Sequence, residues 1–108
     1  MSKLVRDRIP ELIEKSGKTP IYYRAKPQDV LHLLKEKLIE ETNELITAIS
    51  REDVLDEAAD VYEVVTNILF ELGYDQKDLM LAACDKRHDR GAFIKAYILE
   101  GVQESGGK

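Results

Sequence analysis

Two long stretches of the chain repeat their apolar residues with the period of a helix, and only a very short gap separates them. Residues 28–49 and 52–72 both keep spacings of three, four and seven between apolar positions. Ser50 with Asp53 is typical of a helix N-terminal cap, so it favours a second helix starting at about residue 52. Because the connection is so short, the two helices must be antiparallel neighbours. The pattern therefore predicts a helical hairpin.

Shorter elements flank this hairpin, and together they predict an all-α fold. We expect a short helix over residues 3–16, where Pro10 suits a first turn, and another over about residues 76–89, which Asp75 with Asp78 could cap. Residues 20–25 are β-branched and aromatic, and residues 93–99 are short and apolar. These two segments could pair as a minor pair of short strands.

The 108 residues fit one domain, which we predict over residues 1–103, with residues 104–108 as a flexible tail. A chain of this length buries only about two thirds of its unfolded surface. Apolar residues also flank the main stripes of the hairpin: Ile39, Ile46, Tyr62 and Phe70. We therefore expect a homodimer or homotetramer to complete the bundle.

The composition narrows the class of protein. No apolar run reaches the roughly 18 residues of a membrane span, and no signal pattern opens the sequence. We expect a soluble, cytoplasmic protein that does not bind membranes. The one cysteine, Cys84, excludes an internal disulfide and a cysteine zinc cluster.

Charge is strongly segregated along the chain. The net charge is −5, but residues 36–63 hold ten acidic and two basic side chains, a charge of −8, against +3 elsewhere. An acidic chain is a poor partner for nucleic acid polymers, and we expect none. The acidic stretch is either a solvated face or a site, and helix geometry distinguishes the two.

Two of the acidic residues fall inside the apolar stripes. Glu41 stands three residues after Leu38 and four before Leu45, and Glu57 holds the equivalent place on the second helix. A second acid follows each of them by three positions, about 60° further round the helix. Each helix therefore directs a pair of carboxylates toward the interface: Glu41 with Glu44, and Glu57 with Asp60.

Four carboxylates at low dielectric repel one another, so they must be protonated, paired with bases or bound to cations. Only Lys37 and Arg51 supply bases within residues 36–63. Carboxylate oxygens are the ligands that Mg²⁺ prefers, with Mn²⁺ as a substitute. Cations held in this way commonly bind and polarise substrate phosphates. The pattern predicts a magnesium site at these four carboxylates. The acidic residues that point outward are interpreted as an ordinary solvated face.

The segment Lys37-Leu-Ile-Glu-Glu-Thr-Asn-Glu44, followed by Glu57-Ala-Ala-Asp60-Val-Tyr62, resembles the signature of the all-α nucleotide pyrophosphohydrolases. This superfamily includes MazG, dimeric dUTPases and phosphoribosyl-ATP pyrophosphohydrolase. The resemblance implies that Glu41, Glu44, Glu57 and Asp60 bind Mg²⁺. It also implies hydrolysis of a nucleoside triphosphate between the α- and β-phosphates, which releases a monophosphate and pyrophosphate.

Two further stretches, Lys3–Pro10 and Lys86–Phe93, are similar to a small MazG-like subgroup of predicted house-cleaning enzymes. Ile39 is a departure, because phosphoribosyl-ATP pyrophosphohydrolases usually have a glycine before the paired glutamates. Ile39 therefore argues against phosphoribosyl-ATP, the substrate of histidine synthesis, as the substrate of this chain. It argues less against pyrophosphate release as the reaction. That substrate remains one alternative, and a non-catalytic helical protein that senses a nucleotide is another.

The remaining candidates would hold phosphates or move protons. Glu40 adjoins Glu41 at the edge of the site, so Glu40 and Glu41 are the predicted catalytic carboxylates, with Glu40 as a general base. Lys37 could bridge the metal site and a phosphate, or simply pair with Glu41. The other predicted phosphate ligands are Arg6, Lys86, Arg87 and Arg90. Ordinary surface charge, and the helix dipole for the last three, explain these bases equally well.

Overall fold

A computed structural model describes residues 2–104, and it is all-α. The helices are α1 (Ile9–Lys15), α2 (Pro27–Thr47), α3 (Arg51–Glu71) and α4 (Gln76–Arg90). Helices α2 and α3 pack along each other, and α4 approaches α3 but neither of the others. The predicted hairpin is confirmed, with the bounds of both long helices within two residues of those expected.

Local capping explains where α3 and α4 begin and end. The Ser50 hydroxyl accepts a hydrogen bond from the Asp53 amide at 3.1 Å, which satisfies a free donor at the start of α3. Asp75 and Asp78 form a reciprocal capping box at the start of α4. Gly73, after α3, has a φ of 89°, a conformation that side chains with a Cβ rarely adopt. The chain therefore turns sharply between α3 and α4.

The core lies between α2 and α3 and is thin. Leu34 and Val64 are the most buried apolar side chains, each 8% exposed. The radius of gyration is 19.6 Å, whereas about 13 Å is usual for a compact domain of this length. The accessible surface is 10077 Å², against about 6100 Å² for a typical monomer of this mass. One chain therefore leaves much of its apolar surface uncovered.

The predicted strand pair is wrong. Residues 20–25 and 93–99 form no strand in the part of the chain that the structure describes. Ala96 has a φ of 51°, and its amide donates to the Phe93 carbonyl, so this segment makes a turn where a strand would need extended backbone. Pro20 and Pro27, which flank the other segment, lack the amide donors of a ladder.

The predicted start of the first helix is also wrong, because α1 begins at Ile9 where residue 3 was expected. A proline ring clashes with the carbonyl four residues before it in a helix, so Pro10 prevents the helix from extending back toward Lys3. The N-terminal segment, residues 2–8, is therefore an irregular arm. Of the predicted flexible tail, residues 105–108 lie outside the described residues. No described helix has both the length and the apolar character needed to cross a membrane.

Candidate metal centre

The hairpin brings acidic side chains from both long helices together. In one group, Glu40, Glu41 and Glu44 of α2 each offer a carboxylate oxygen within 4.8 Å of the others. In the second group, Glu41 of α2 meets Glu57 and Asp60 of α3 within the same limit. Glu41 belongs to both groups. The two triads thus overlap at Glu41, and together they contain the four predicted metal ligands and Glu40.

The two carboxylates inside the apolar stripes each have one oxygen that is shielded from solvent. Glu41 is 7% exposed, and Glu57 is half-buried. One oxygen of each, Glu41 Oε2 and Glu57 Oε1, is fully shielded from solvent and makes no hydrogen bond to any described residue. A buried polar atom without a partner is costly, and an oxygen donor set of this kind fits a hard divalent cation. The residues present therefore suit Mg²⁺ or Mn²⁺.

The pKa values of Glu41 and Glu57 are both raised, which also favours a cation at this place. Burial raises the pKa of Glu41 above its ordinary value, and the nearby Glu44 carboxylate raises it further, against the lowering effect of Lys37. Burial followed by the Glu44 carboxylate also raises the pKa of Glu57. Both helices thus disfavour charge at the point where they meet. A bound cation would remove this penalty.

Lys37 is the basic residue that lies deepest in the site. Its side chain is 16% exposed, and its Nζ lies 3.2 Å from Glu40 Oε2 and 3.6 Å from Glu41 Oε1. The expected ion pair with Glu41 is therefore present. Lys3 of the N-terminal arm approaches the same Glu40 oxygen at 3.9 Å. The helical wheel directs Glu40 away from the stripe, but its long side chain reaches the carboxylates of the next turn.

The N-terminal arm lies against the acidic residues. Arg6 Nη2 donates to Asp60 Oδ1 at 2.6 Å, so a predicted phosphate ligand contacts a predicted metal ligand directly. The arm also forms one wall of a groove of about 400 Å³. The groove is lined by Ser2, Lys3, Leu4, Leu33, Glu36, Lys37 and Glu40. Sequence spacing identified the basic character of this segment but carried no signal for the pairing of residues so far apart.

The bases of α4 lie elsewhere. Lys86, Arg87 and Arg90 line a second groove, of about 610 Å³, beside Phe93, which is 97% exposed. Among the described residues, no ion pair links these three bases to a carboxylate of the hairpin, and α4 does not approach α2. The structure therefore does not bring the α4 bases to the acidic site within one chain.

Comparisons with known proteins match the part of the chain that contains the acidic residues. The family model described as phosphoribosyl-ATP pyrophosphohydrolase matches residues 6–88, a span that contains both carboxylate pairs. An uncharacterized protein of Mycolicibacterium smegmatis is 45% identical over 56 residues, which cover 52% of this chain and 57% of that protein. No solved structure matches the chain. Since the family model spans most of the sequence, the chain belongs to the phosphoribosyl-ATP pyrophosphohydrolase family, whose name denotes hydrolysis of a phosphoric anhydride bond.

Proposed function

We propose that this protein is a magnesium-dependent nucleotide pyrophosphohydrolase. It cleaves a nucleoside triphosphate, canonical or modified, between the α- and β-phosphates to give a monophosphate and pyrophosphate. The observation that carries the proposal is the pair of buried, unpartnered oxygens on Glu41 and Glu57, where the two carboxylate pairs meet. Membership of a pyrophosphohydrolase family supports the class of reaction.

The residues that would hold Mg²⁺ in this proposal are Glu41, Glu44, Glu57 and Asp60, of which Glu41 belongs to both triads. When bound, Mg²⁺ polarises the phosphates and lowers the pKa of a coordinated water. The water oxygen forms a bond to phosphorus while the bridging P–O bond breaks, and its electron pair leaves with the departing phosphate group. Glu40, at the edge of the site, accepts the proton of the water.

The phosphates also need positive groups, and the groove beside Glu40 supplies them. Lys3 and Lys37 both line it, and Arg6 lies on the neighbouring carboxylate. Ammonium and guanidinium donors at this position would stabilise the charge that develops on the leaving group. We therefore place the substrate phosphates between the metal ligands and the arm.

Assembly is part of the proposal. The apolar residues expected to complete a bundle are exposed in one chain: Ile39, Ile46, Tyr62 and Phe70. We propose a homodimer or homotetramer in which a second chain covers this surface. The bases Lys86, Arg87 and Arg90 would then serve a site on a neighbouring chain. We place the enzyme in the cytoplasm, where nucleotides and Mg²⁺ are abundant.

The test is a panel of canonical and modified nucleoside triphosphates, with phosphoribosyl-ATP included, assayed for pyrophosphate in the presence of Mg²⁺. We expect at least one nucleotide to release pyrophosphate, and Glu57→Gln to abolish that release. Glu71→Gln is the matched control, because Glu71 is an exposed residue at the other end of α3. If no nucleotide reacts, or if Glu57→Gln behaves like the wild type, the proposal is wrong.

A further inference from the structure

The contact between Arg6 and Asp60 places a cationic side chain on one of the carboxylates of the second triad. Arg6 Nη2 and Asp60 Oδ1 are 2.6 Å apart, the distance of a short charge-assisted hydrogen bond. The two residues are 54 positions apart in sequence, so the arm must cross to α3 to make this contact. We propose that Arg6 is a built-in competitor of the divalent cation for Asp60 and thereby sets the metal affinity of the site.

The bases around the triads differ in how firmly they are held. The Lys37 side chain is 16% exposed and belongs to α2 itself, so its pairs with Glu40 and Glu41 are built into the helix. Arg6 is 55% exposed, Asp60 is 36% exposed, and Arg6 lies on an irregular segment. An exposed pair of this kind is weak and can exchange. Arg6 is therefore the base that a cation can displace at low cost.

Displacement would give Arg6 a second role. This step rests on the proposed function, because it requires an anionic substrate. Once a cation takes Asp60, the guanidinium is released on the same arm whose Lys3 lines the groove together with Lys37. Phosphate oxygens are the acceptors that a guanidinium binds best. Arg6 would thus exchange a carboxylate for a substrate phosphate, so metal loading would prepare the arm for the nucleotide.

The experiment is calorimetric titration of the full chain with Mn²⁺ alone, without nucleotide. Arg6→Ala should bind Mn²⁺ about two- to fivefold more tightly than the wild type, because the competing pair is lost. Arg8→Ala is the matched control, since it removes the same charge two residues along. Arg8 pairs with Glu11 of α1 at 3.0 Å, and among the described residues it makes no ion pair with an acid of the hairpin. The Arg8 variant should bind Mn²⁺ like the wild type.

Equal or weaker Mn²⁺ binding by Arg6→Ala would overturn the proposal, and weaker binding would show that Arg6 positions Asp60 for the metal. Arg6→Lys keeps the charge without the forked donor and should fall between the wild type and Arg6→Ala, which guards against misfolding of the alanine variant. Glu57→Gln separates the two proposals. If it binds Mn²⁺ as tightly as the wild type, the metal centre itself is wrong. If only Arg6→Ala fails, the pyrophosphohydrolase proposal stands.

Discussion

Charged residues are placed differently in two regions of the molecule, the hairpin of α2 and α3 and the C-terminal part of the chain. The hairpin turns Glu41 and Glu57 inward, so that burial and the neighbouring carboxylates of Glu44 and Asp60 raise the pKa of both. Helix α4 instead leaves its bases on an exposed surface, and the apolar residues that follow it contact little. One chain thus brings the acidic side chains together by itself, whereas it keeps the basic residues of α4 away from them.

The largest effect should come from the shared ligand of the two triads. Glu41→Gln should reduce pyrophosphate release at least about 100-fold, since Glu41 is the carboxylate shared by the two triads and a proposed metal ligand. The same substitution should leave the melting temperature in EDTA unchanged or higher, because a neutral amide replaces a carboxylate whose charge is disfavoured by burial. Activity assays and calorimetry measure the two effects.

Asp29→Asn is the control for this variant, because Asp29 is an exposed acid in the first turn of α2, away from the triads and from the groove beside Glu40. It should leave activity intact. The prediction is wrong if Glu41→Gln keeps full activity, or if it unfolds more easily than the wild type in EDTA. The inward-facing acids would then have no role that distinguishes them from the solvated ones.

A smaller effect should follow from the bases of α4. The double variant Arg87→Ala/Arg90→Ala should lose about tenfold in kcat/KM, the effect expected for losing contacts to a phosphate. Lys77→Ala, at the other end of the same helix, should behave like the wild type. If a neighbouring chain supplies the bases, mixing the double variant with inactive Glu57→Gln should restore part of the activity. No restoration, together with a monomer by light scattering, would confine the site to one chain.

The pH dependence of stability should also differ between the inward and outward acids. A carboxyl whose pKa is raised on folding binds its proton more tightly when folded, so its contribution to stability is complete below the ordinary value of 4.5. That contribution is lost as the pH rises through the raised pKa. In EDTA, the difference in the free energy of unfolding between the wild type and Glu57→Gln should therefore shift against the wild type above pH 4.5. Mg²⁺ should reverse the shift, and a flat difference would contradict the prediction.

The smallest effects concern the helix caps. Ser50→Ala and Asp75→Ala should each cost about 1 kcal/mol of helix stability. Ser50 caps α3 inside the hairpin, so its loss should lower the main unfolding transition measured by circular dichroism. Asp75 caps α4, which approaches α3 alone, so its loss should reduce helix content before that transition. Identical unfolding curves for the two variants would show that α4 unfolds together with the hairpin.

Much of the fold and of the candidate site was predictable because it depends on residues close in sequence. The position of Glu41 between Leu38 and Leu45 places it in the stripe whatever the rest of the chain does. The minor strands were predicted wrongly, because β-branched and aromatic composition favours strands without supplying a partner. The start of α1 differs from the expected one because the steric effect of Pro10 prevents the helix from reaching back to residue 3.

By itself, the sequence determined the hairpin, the inward position of Glu41 and Glu57, and the family. These features follow from the helical period, from capping residues and from short motifs. Only the tertiary structure decided that Arg6 contacts Asp60, that Glu40 joins the first triad, and that the α4 bases lie away from the carboxylates. The reason is physical: a periodic pattern reports which face of a helix a residue occupies, whereas contacts between distant residues depend on the path of the chain and the reach of long side chains.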